Sequence, residues 1–171
     1  FHGWQIERLA GAGCDYLMAA TIPAVPEAMG LARVMATQGI PYVISFVIGR
    51  DGRILDGTDL GAAIARIDDR TESQPLGYMI NCAHPSVHDP ERLAPSARDR
   101  MVGFQANASS LDHSTLDGAG ELLADDIDDW SIRMVHLNQR YGVKILGGCC
   151  GTTGRHLAAI LRHGGTVEHS S

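Results

Sequence analysis

The sequence predicts an α/β fold in which short parallel strands alternate with helices. Five apolar runs have the length and composition of buried strands, and most of them lack strict alternation of polar and apolar residues. Parallel strands covered on both faces show this pattern, because neither face meets water. The five predicted strands are residues 16–20, 42–48, 77–81, 102–106 and 143–146.

Helical patterns precede, separate and follow these runs. They cover residues 4–12, 26–35, 60–67, 125–141 and 153–163, and a further helix start is predicted at residues 89–93. Thr58 or Asp59 can cap the third pattern, Pro90 suits a first helical position, and Gly142 is a typical helix stop. Regular alternation of strands and helices predicts a single parallel sheet.

Length and charge narrow the class of protein. The chain has 171 residues, which fits one domain over 1–171, and residues 164–171 are predicted to form a disordered tail. The net charge of −6 and the absence of a basic stripe argue against a nucleic-acid partner. No apolar run reaches 18 residues and no signal peptide is recognisable, so we expect a cytoplasmic protein without a membrane partner. The chain also lacks an initiator Met, so we expect it to begin inside a longer one.

The four cysteines are Cys14, Cys82, Cys149 and Cys150. In a reducing compartment disulfides are not expected. A bridge between the adjacent Cys149 and Cys150 would also be strained, because neighbouring Cα atoms are about 3.8 Å apart and relaxed disulfides span about 4.4–6.8 Å. Metal binding or catalysis is therefore the better use for the adjacent thiols.

Polar and sulfur residues follow the predicted strands at the points where the strands end. Thr21, Asn81 with Cys82, Asn107, and Gly148 with Cys149 and Cys150 all occupy such positions. Sites in parallel α/β folds form beyond the carboxyl ends of the strands. Three cysteines from two strand ends can therefore meet at one point.

Three thiolates suit a borderline-soft metal, and Zn²⁺ is the commonest choice. Three protein ligands leave the fourth position open, as in a catalytic site. Gly147, Gly148 and Gly151 give the backbone the freedom to turn two neighbouring thiols towards one ion. Such an electron-rich site favours alkyl transfer to sulfur over hydrolysis.

The residues alone leave alternatives open. Cys14 has the surroundings of a small buried residue. Cys82 taken alone is more often a core residue than a ligand, and the pair Cys149–Cys150 taken alone is only moderate evidence for a metal, because buried cysteines are common. His84 and His156 are weak candidates for the same site, with a surface loop and a helix cap as their simpler roles. A redox or structural protein whose cysteines bind no metal is a further alternative.

Two motifs carry a family resemblance. Residues 80–82 (Ile-Asn-Cys) and 147–153 (Gly-Gly-Cys-Cys-Gly-Thr-Thr) closely resemble the two zinc-ligand motifs of the homocysteine S-methyltransferase family. Residues 13–17 with 21–23 resemble the fourth barrel strand of that family and its loop, and residues 41–46 with 56–58 resemble the fifth. The resemblance covers residues 4–163.

The resemblance implies the C-terminal five strand–helix units of a (β/α)8 TIM barrel. It implies a zinc enzyme that moves a methyl group from a small-molecule donor to a thiol, homocysteine giving methionine. By motif, Cys82, Cys149 and Cys150 would be the zinc ligands, and Asn81, Thr21 and Gly148 would contact substrate. No residue is assigned a catalytic role.

Two features depart from the family pattern. The Glu that the family usually has before the Thr of the fourth-strand loop, where it holds the homocysteine amino group, is Ala20 here. The first strand of the family, with its Asp-Gly-Gly-type motif, has no counterpart. We therefore expect a part of a longer protein, with self-association through the open barrel edge as an alternative. A non-catalytic zinc- or thiol-binding remnant is the alternative function.

Overall fold

In a computed structural model, which describes residues 1–111 and 124–165, five parallel strands form one open sheet in sequential order. The strands are β1 (Leu17–Ile22), β2 (Tyr42–Phe46), β3 (Gly77–Ala83), β4 (Met101–Ala106) and β5 (Ile145–Gly148). Each lies within a few residues of a predicted strand. The predicted α/β class and parallel sheet are confirmed.

The helices alternate with the strands along the chain. They are α1 (Gly3–Gly11), α2 (Val25–Ala36), α3 (Leu60–Arg70), α4 (Pro95–Arg98), α5 (Ile127–Tyr141) and α6 (Gly154–Gly164). None of the helices within the described ranges is long and apolar enough to cross a membrane.

The helix ends follow the local sequence. The Asp59 side chain accepts the backbone N–H of Ala62 and so starts α3, as one of the two predicted caps. Asp126 does the same for the second and third residues of α5. Gly142 takes the left-handed conformation, with φ of 72°, and ends α5 where the sequence predicts.

The α-helix predicted to start at residues 89–93 is wrong, because the structure has a 3₁₀ turn there. The segment forms two short 3₁₀ turns, Pro85–Val87 and Pro90–Arg92, before the single helical turn α4. Three prolines within 11 residues explain the difference, since each removes a backbone donor and restricts the residue before it. Gly164, the first residue of the predicted disordered tail, is the last residue of α6, and residues 166–171 lie outside the described ranges.

Burial is greatest in the middle of the sheet. Every residue of β2 is buried, and β3 is buried except for Cys82 at its carboxyl end. The terminal strand β5 is partly exposed along its length, and Ile145 is 44% exposed. The best-packed strands are therefore those in the centre of the sheet.

The amino ends of the strands carry an ion-pair network. Arg100 donates to Asp68 through Nε at 2.8 Å and through Nη2 at 3.0 Å, and the Tyr78 hydroxyl donates to the same carboxylate at 2.8 Å. Tyr78 stacks on Phe46, with ring centroids 6.3 Å apart. This network joins α3 to β3 and β4 at the end of the sheet opposite the cysteines.

Candidate metal centre

Cys82 reaches the carboxyl edge of the sheet through a local break in strand geometry. Its φ is 54°, and the pairing of β3 with β4 shifts register between Asn81 and Ala83. A residue other than glycine rarely has positive φ, and such positions concentrate at functional sites. The kink turns the Cys82 side chain out of the regular alternation of the strand.

Cys149 and Cys150 lie in the loop that leaves β5. The backbone N–H of Cys149 donates to Ala106 at 2.7 Å, and the backbone oxygen of Cys150 accepts from Ala108 at 2.9 Å. The loop is thus hydrogen-bonded to the segment that continues β4. Gly151 follows with φ of 75°, a conformation that favours glycine.

The three thiols converge on one point. The Sγ atom of Cys82 lies 2.8 Å from that of Cys149 and 4.0 Å from that of Cys150, and the Cys149 and Cys150 sulfurs are 3.9 Å apart. A Zn–S bond of about 2.3 Å in a tetrahedral site separates sulfurs by about 3.8 Å. Two of the three separations match this spacing, and the third requires Cys82 and Cys149 to move apart by about 1 Å. The donor set therefore fits a zinc ion.

The sulfurs of Cys82 and Cys149, the shortest pair, lie within hydrogen-bonding distance of each other. Burial, and then the neighbouring Cys149 sulfur, raise the pKa of Cys82 to about 12. Burial also opposes ionisation of Cys149, but hydrogen bonds from Cys82 and Cys150 outweigh it and lower the pKa of Cys149. In the metal-free chain Cys149 is therefore the first of the pair to ionise, and the Cys82 thiol donates to it.

The side chain of Asn81 joins three strand ends. Its Oδ1 accepts from the backbone N–H of Thr21 at 2.9 Å and from the Ser45 hydroxyl at 2.6 Å. Its Nδ2 donates to Thr21 Oγ1 at 2.8 Å and to Cys82 Sγ at 3.3 Å. Asn81 is 3% exposed and Ser45 is fully buried.

Asn107 supports the loop that carries the other two cysteines. Its Oδ1 accepts the backbone N–H of Cys150 at 3.1 Å, and its backbone oxygen accepts the indole N–H of Trp130 at 2.8 Å. The Trp130 ring in turn meets the His156 ring edge-on at 5.0 Å. His156 is buried and completes the capping box of α6, which is the simpler role predicted for it.

His84 lies close to the site without joining the thiols. Its Nδ1 accepts the backbone N–H of Ser86, which places the ring proton on Nε2, 3.4 Å from the Asp125 carboxylate. Burial lowers the pKa of His84. Both Cys82 and His84 border a cavity of about 100 Å³ that Arg50 also lines.

A sequence model of the homocysteine S-methyltransferase family matches residues 1–163. The chain belongs to this family. The family resemblance and the fold class predicted from the sequence are thereby confirmed.

Curated relatives agree with the family match. Homocysteine S-methyltransferase YbgG of Bacillus subtilis is 27% identical over 164 residues, which cover 94% of this chain and 50% of that protein. Homocysteine S-methyltransferase of Escherichia coli is 25% identical and is covered to 51%. Methionine synthase of Mycobacterium leprae is 28% identical over 151 residues, which are 81% of this chain and 12% of that protein. The chain thus spans about half the length of the two S-methyltransferases, as a part of a barrel would.

The structure brings most of the predicted site residues close together and leaves Cys14 apart from them. Cys82, Cys149 and Cys150 form one cluster, and Asn81 and Thr21 are hydrogen-bonded beside it. Gly148 packs against Thr152, where a Cβ would lie 2.7 Å from the threonine Cβ. Cys14 is apart from them, partly buried against the core, with its thiol donating to the Leu9 carbonyl.

Two residues that support the site, Ser45 and Trp130, were not predicted from the sequence. Ser45 is a polar residue inside the otherwise apolar run 42–48, which is a signal that a hydroxyl there has a buried partner. Trp130 gave no such signal, because an indole N–H on an amphipathic helix can face many groups.

Proposed function

We propose that this chain is part of a zinc-dependent S-methyltransferase that moves a methyl group to the sulfur of homocysteine and so forms methionine. The observation that carries the proposal is the convergence of Cys82 with Cys149 and Cys150, 67 and 68 residues apart in sequence, in a member of this family. Two relatives of similar coverage are named as homocysteine S-methyltransferases.

The donor set supports zinc. Cys82, Cys149 and Cys150 would hold the ion and leave one position for the sulfur of a substrate. When bound, the ion supplies positive charge that favours the thiolate form of that sulfur at neutral pH. Hydrogen bonds from its neighbours lower the pKa of Cys149 against the opposing effect of burial, which favours the thiolate form that a metal binds.

The transfer itself is a displacement at carbon. A lone pair of the homocysteine thiolate forms the new S–C bond while the bond from the methyl carbon to the donor nitrogen or sulfur breaks. The electron pair of the broken bond leaves with the donor, so a cationic donor departs neutral. The thiol proton goes to solvent before the transfer.

Residues around the thiols support a polar, amino-acid-like substrate. The Thr21 hydroxyl accepts from Asn81 and so keeps its own proton to donate towards a ligand. Arg50 is among the residues that line the cavity beside Cys82, and its positive charge suits a substrate carboxylate. Contacts of Thr21 and Gly148 with substrate stay predictions, as do the methyl donor as a partner and a cytoplasmic location.

A second candidate is a non-catalytic zinc- or thiol-binding remnant. Ala20 favours it, because this exposed residue of β1 stands where the family usually has the Glu that holds the substrate amino group. A metal centre without that carboxylate could bind thiols without positioning homocysteine for transfer. Self-association through the terminal strands β1 and β5 is an alternative way to complete such a site.

Metal analysis and a transfer assay test the proposal. The purified chain should hold about one zinc, should lose it in Cys149→Ala, and should keep it in Cys14→Ala, which removes a thiol outside the cluster. The full-length protein that contains this chain, supplied with homocysteine and either S-methylmethionine or betaine, should form methionine. Zinc content unchanged in Cys149→Ala would sink the metal site. Full zinc content without methionine from either donor would favour the remnant.

A further inference from the structure

Asn81 uses its whole hydrogen-bonding capacity within the protein. A primary amide has two acceptor positions on oxygen and two donor hydrogens on nitrogen. Two donors face Oδ1, from Thr21 and Ser45, and two acceptors face Nδ2, on Thr21 and Cys82. The side chain is nearly fully buried. No position of the amide is left for a substrate.

The orientation of the amide follows from its partners. A backbone N–H can only donate, so the atom that faces the Thr21 N–H must be the amide oxygen. The nitrogen therefore faces Thr21 Oγ1 and Cys82 Sγ. An N–H donor directed at a sulfur stabilises the negative charge of a thiolate.

The same side chain joins the two strained backbone positions of the site. Among the described residues, Thr21 and Cys82 are the two with positive φ that are not glycine, at 63° and 54°. Each such position costs on the order of 1–3 kcal/mol and persists only where surrounding contacts hold it. Asn81 contacts the main chain of Thr21 and the side chains of both residues.

We propose that Asn81 is a positioning residue for the metal ligand Cys82. Its amide holds the Cys82 sulfur in place by N–H···S hydrogen bonding, and it also fixes Thr21 through the backbone N–H and hydroxyl of that residue. This inference rests on the proposed metal centre and gives Asn81 a role distinct from the substrate contact that the family resemblance implies.

The variant Asn81→Asp tests the N–H donor of the amide separately from its oxygen acceptor. The variant keeps an oxygen for Thr21 N–H and the Ser45 hydroxyl, but it turns a second oxygen towards Cys82 in place of the N–H donor. Removing a partner that orients a metal ligand typically weakens metal binding by about 10–100-fold. The matched control is Asn138→Asp, the same change at a side chain that donates to Val143 at the other end of β5.

Titration with Co²⁺ measures the effect without any activity assay. Dissociation constants and the sulfur-to-cobalt charge-transfer band are recorded for the unmodified chain and both variants, with folding checked by circular dichroism. The inference expects affinity about 10–100-fold weaker and a shifted band in Asn81→Asp, with both unchanged in Asn138→Asp. Equal affinity and an unshifted band in Asn81→Asp would overturn it. A chain that binds no Co²⁺ would overturn the metal centre, and the inference with it.

A second measurement needs no variant, so it stands even if Asn81→Asp does not fold. In the ¹⁵N-labelled, ¹¹³Cd-loaded chain, a side-chain amide proton of Asn81 should show scalar coupling to the metal through the N–H···S bond. These protons should also exchange slowly with solvent, because the side chain is buried. Rapid exchange without coupling would contradict the proposed hydrogen bond.

Discussion

The Oδ1 atom of Asn107 accepts the backbone N–H of Cys150 at 3.1 Å. The carboxyl ends of β3 and β4 thus each provide an asparagine that is hydrogen-bonded to a cysteine. Asn81 contacts a sulfur, and Asn107 contacts a backbone N–H. Asn81 contacts the sulfur of its sequence neighbour Cys82, whereas Asn107 holds the backbone of a cysteine 43 residues further along the chain.

Replacing Asn107 tests its support of the cysteine loop. Asn107→Ala leaves the Cys150 N–H without its acceptor, which should lower the free energy of unfolding by about 1–3 kcal/mol. Asn107→Asp keeps an acceptor oxygen and should lose less. Urea denaturation of the metal-free chain measures both. The interpretation is wrong if the Asp variant is as unstable as the Ala variant.

The ion pair at the amino end of the sheet should contribute to stability. Asp68→Ala leaves Arg100 and the Tyr78 hydroxyl without their shared acceptor in a partly buried position. We expect a loss of about 2–3 kcal/mol, measured by urea denaturation. Asp69→Ala is the control, since Asp69 is an exposed neighbour of equal charge, and it should change stability by less than about 0.5 kcal/mol.

Acid should destabilise the chain through His88. Burial lowers the pKa of His88 to about 4, against the opposing effect of Asp89, and its ring lies 5.7 Å from that of Phe104. Because an unfolded histidine has a pKa of about 6.5, the unfolded state binds the proton first as the pH falls. Stability should be complete above pH 6.5 and decline towards pH 4, by at most about 2 kcal/mol at pH 5.

Thermal unfolding in EDTA between pH 7.5 and 5 checks this dependence, because the chelator removes metal-linked protonation. His88→Gln should flatten the curve, and His136→Gln, which removes an exposed imidazole, should leave it in place. The pKa values of His84 and His156 are also lowered by burial, so a residual slope should remain. An unaltered curve in His88→Gln would rule out His88 as the source.

Gly148 should be irreplaceable even by alanine. A Cβ there would overlap the Thr152 side chain, whose hydroxyl donates to the Cys149 carbonyl at 2.7 Å. Gly148→Ala should therefore distort the cysteine loop and weaken Co²⁺ binding at least about tenfold. Gly154→Ala is the matched control, because nothing lies within 4 Å of its Cβ position. Equal affinities in the two variants would show that the loop tolerates the added methyl group.

The strands, the helices and the cluster of three cysteines could be predicted because local patterns indicate them. Apolar runs locate the strands, and the strand-end rule brings Cys82 to Cys149 and Cys150 although 67 and 68 residues separate them. The side-chain partners could not be predicted in the same way. The Ser45 bond to Asn81 depends on the register of β2 with β3, and the 3₁₀ turns after β3 depend on how successive prolines pack.

The spacing of the thiols along the sheet has a mechanical consequence. Cys82 follows β3 and Cys149 follows β5, so an ion held between them would bridge the end of β4 and act as a cross-link. It would close a loop of 67 residues and tether the half-exposed edge strand to the buried centre. Loading the metal should then protect β5 and α6 from proteolysis well before it changes anything at the amino end of the sheet.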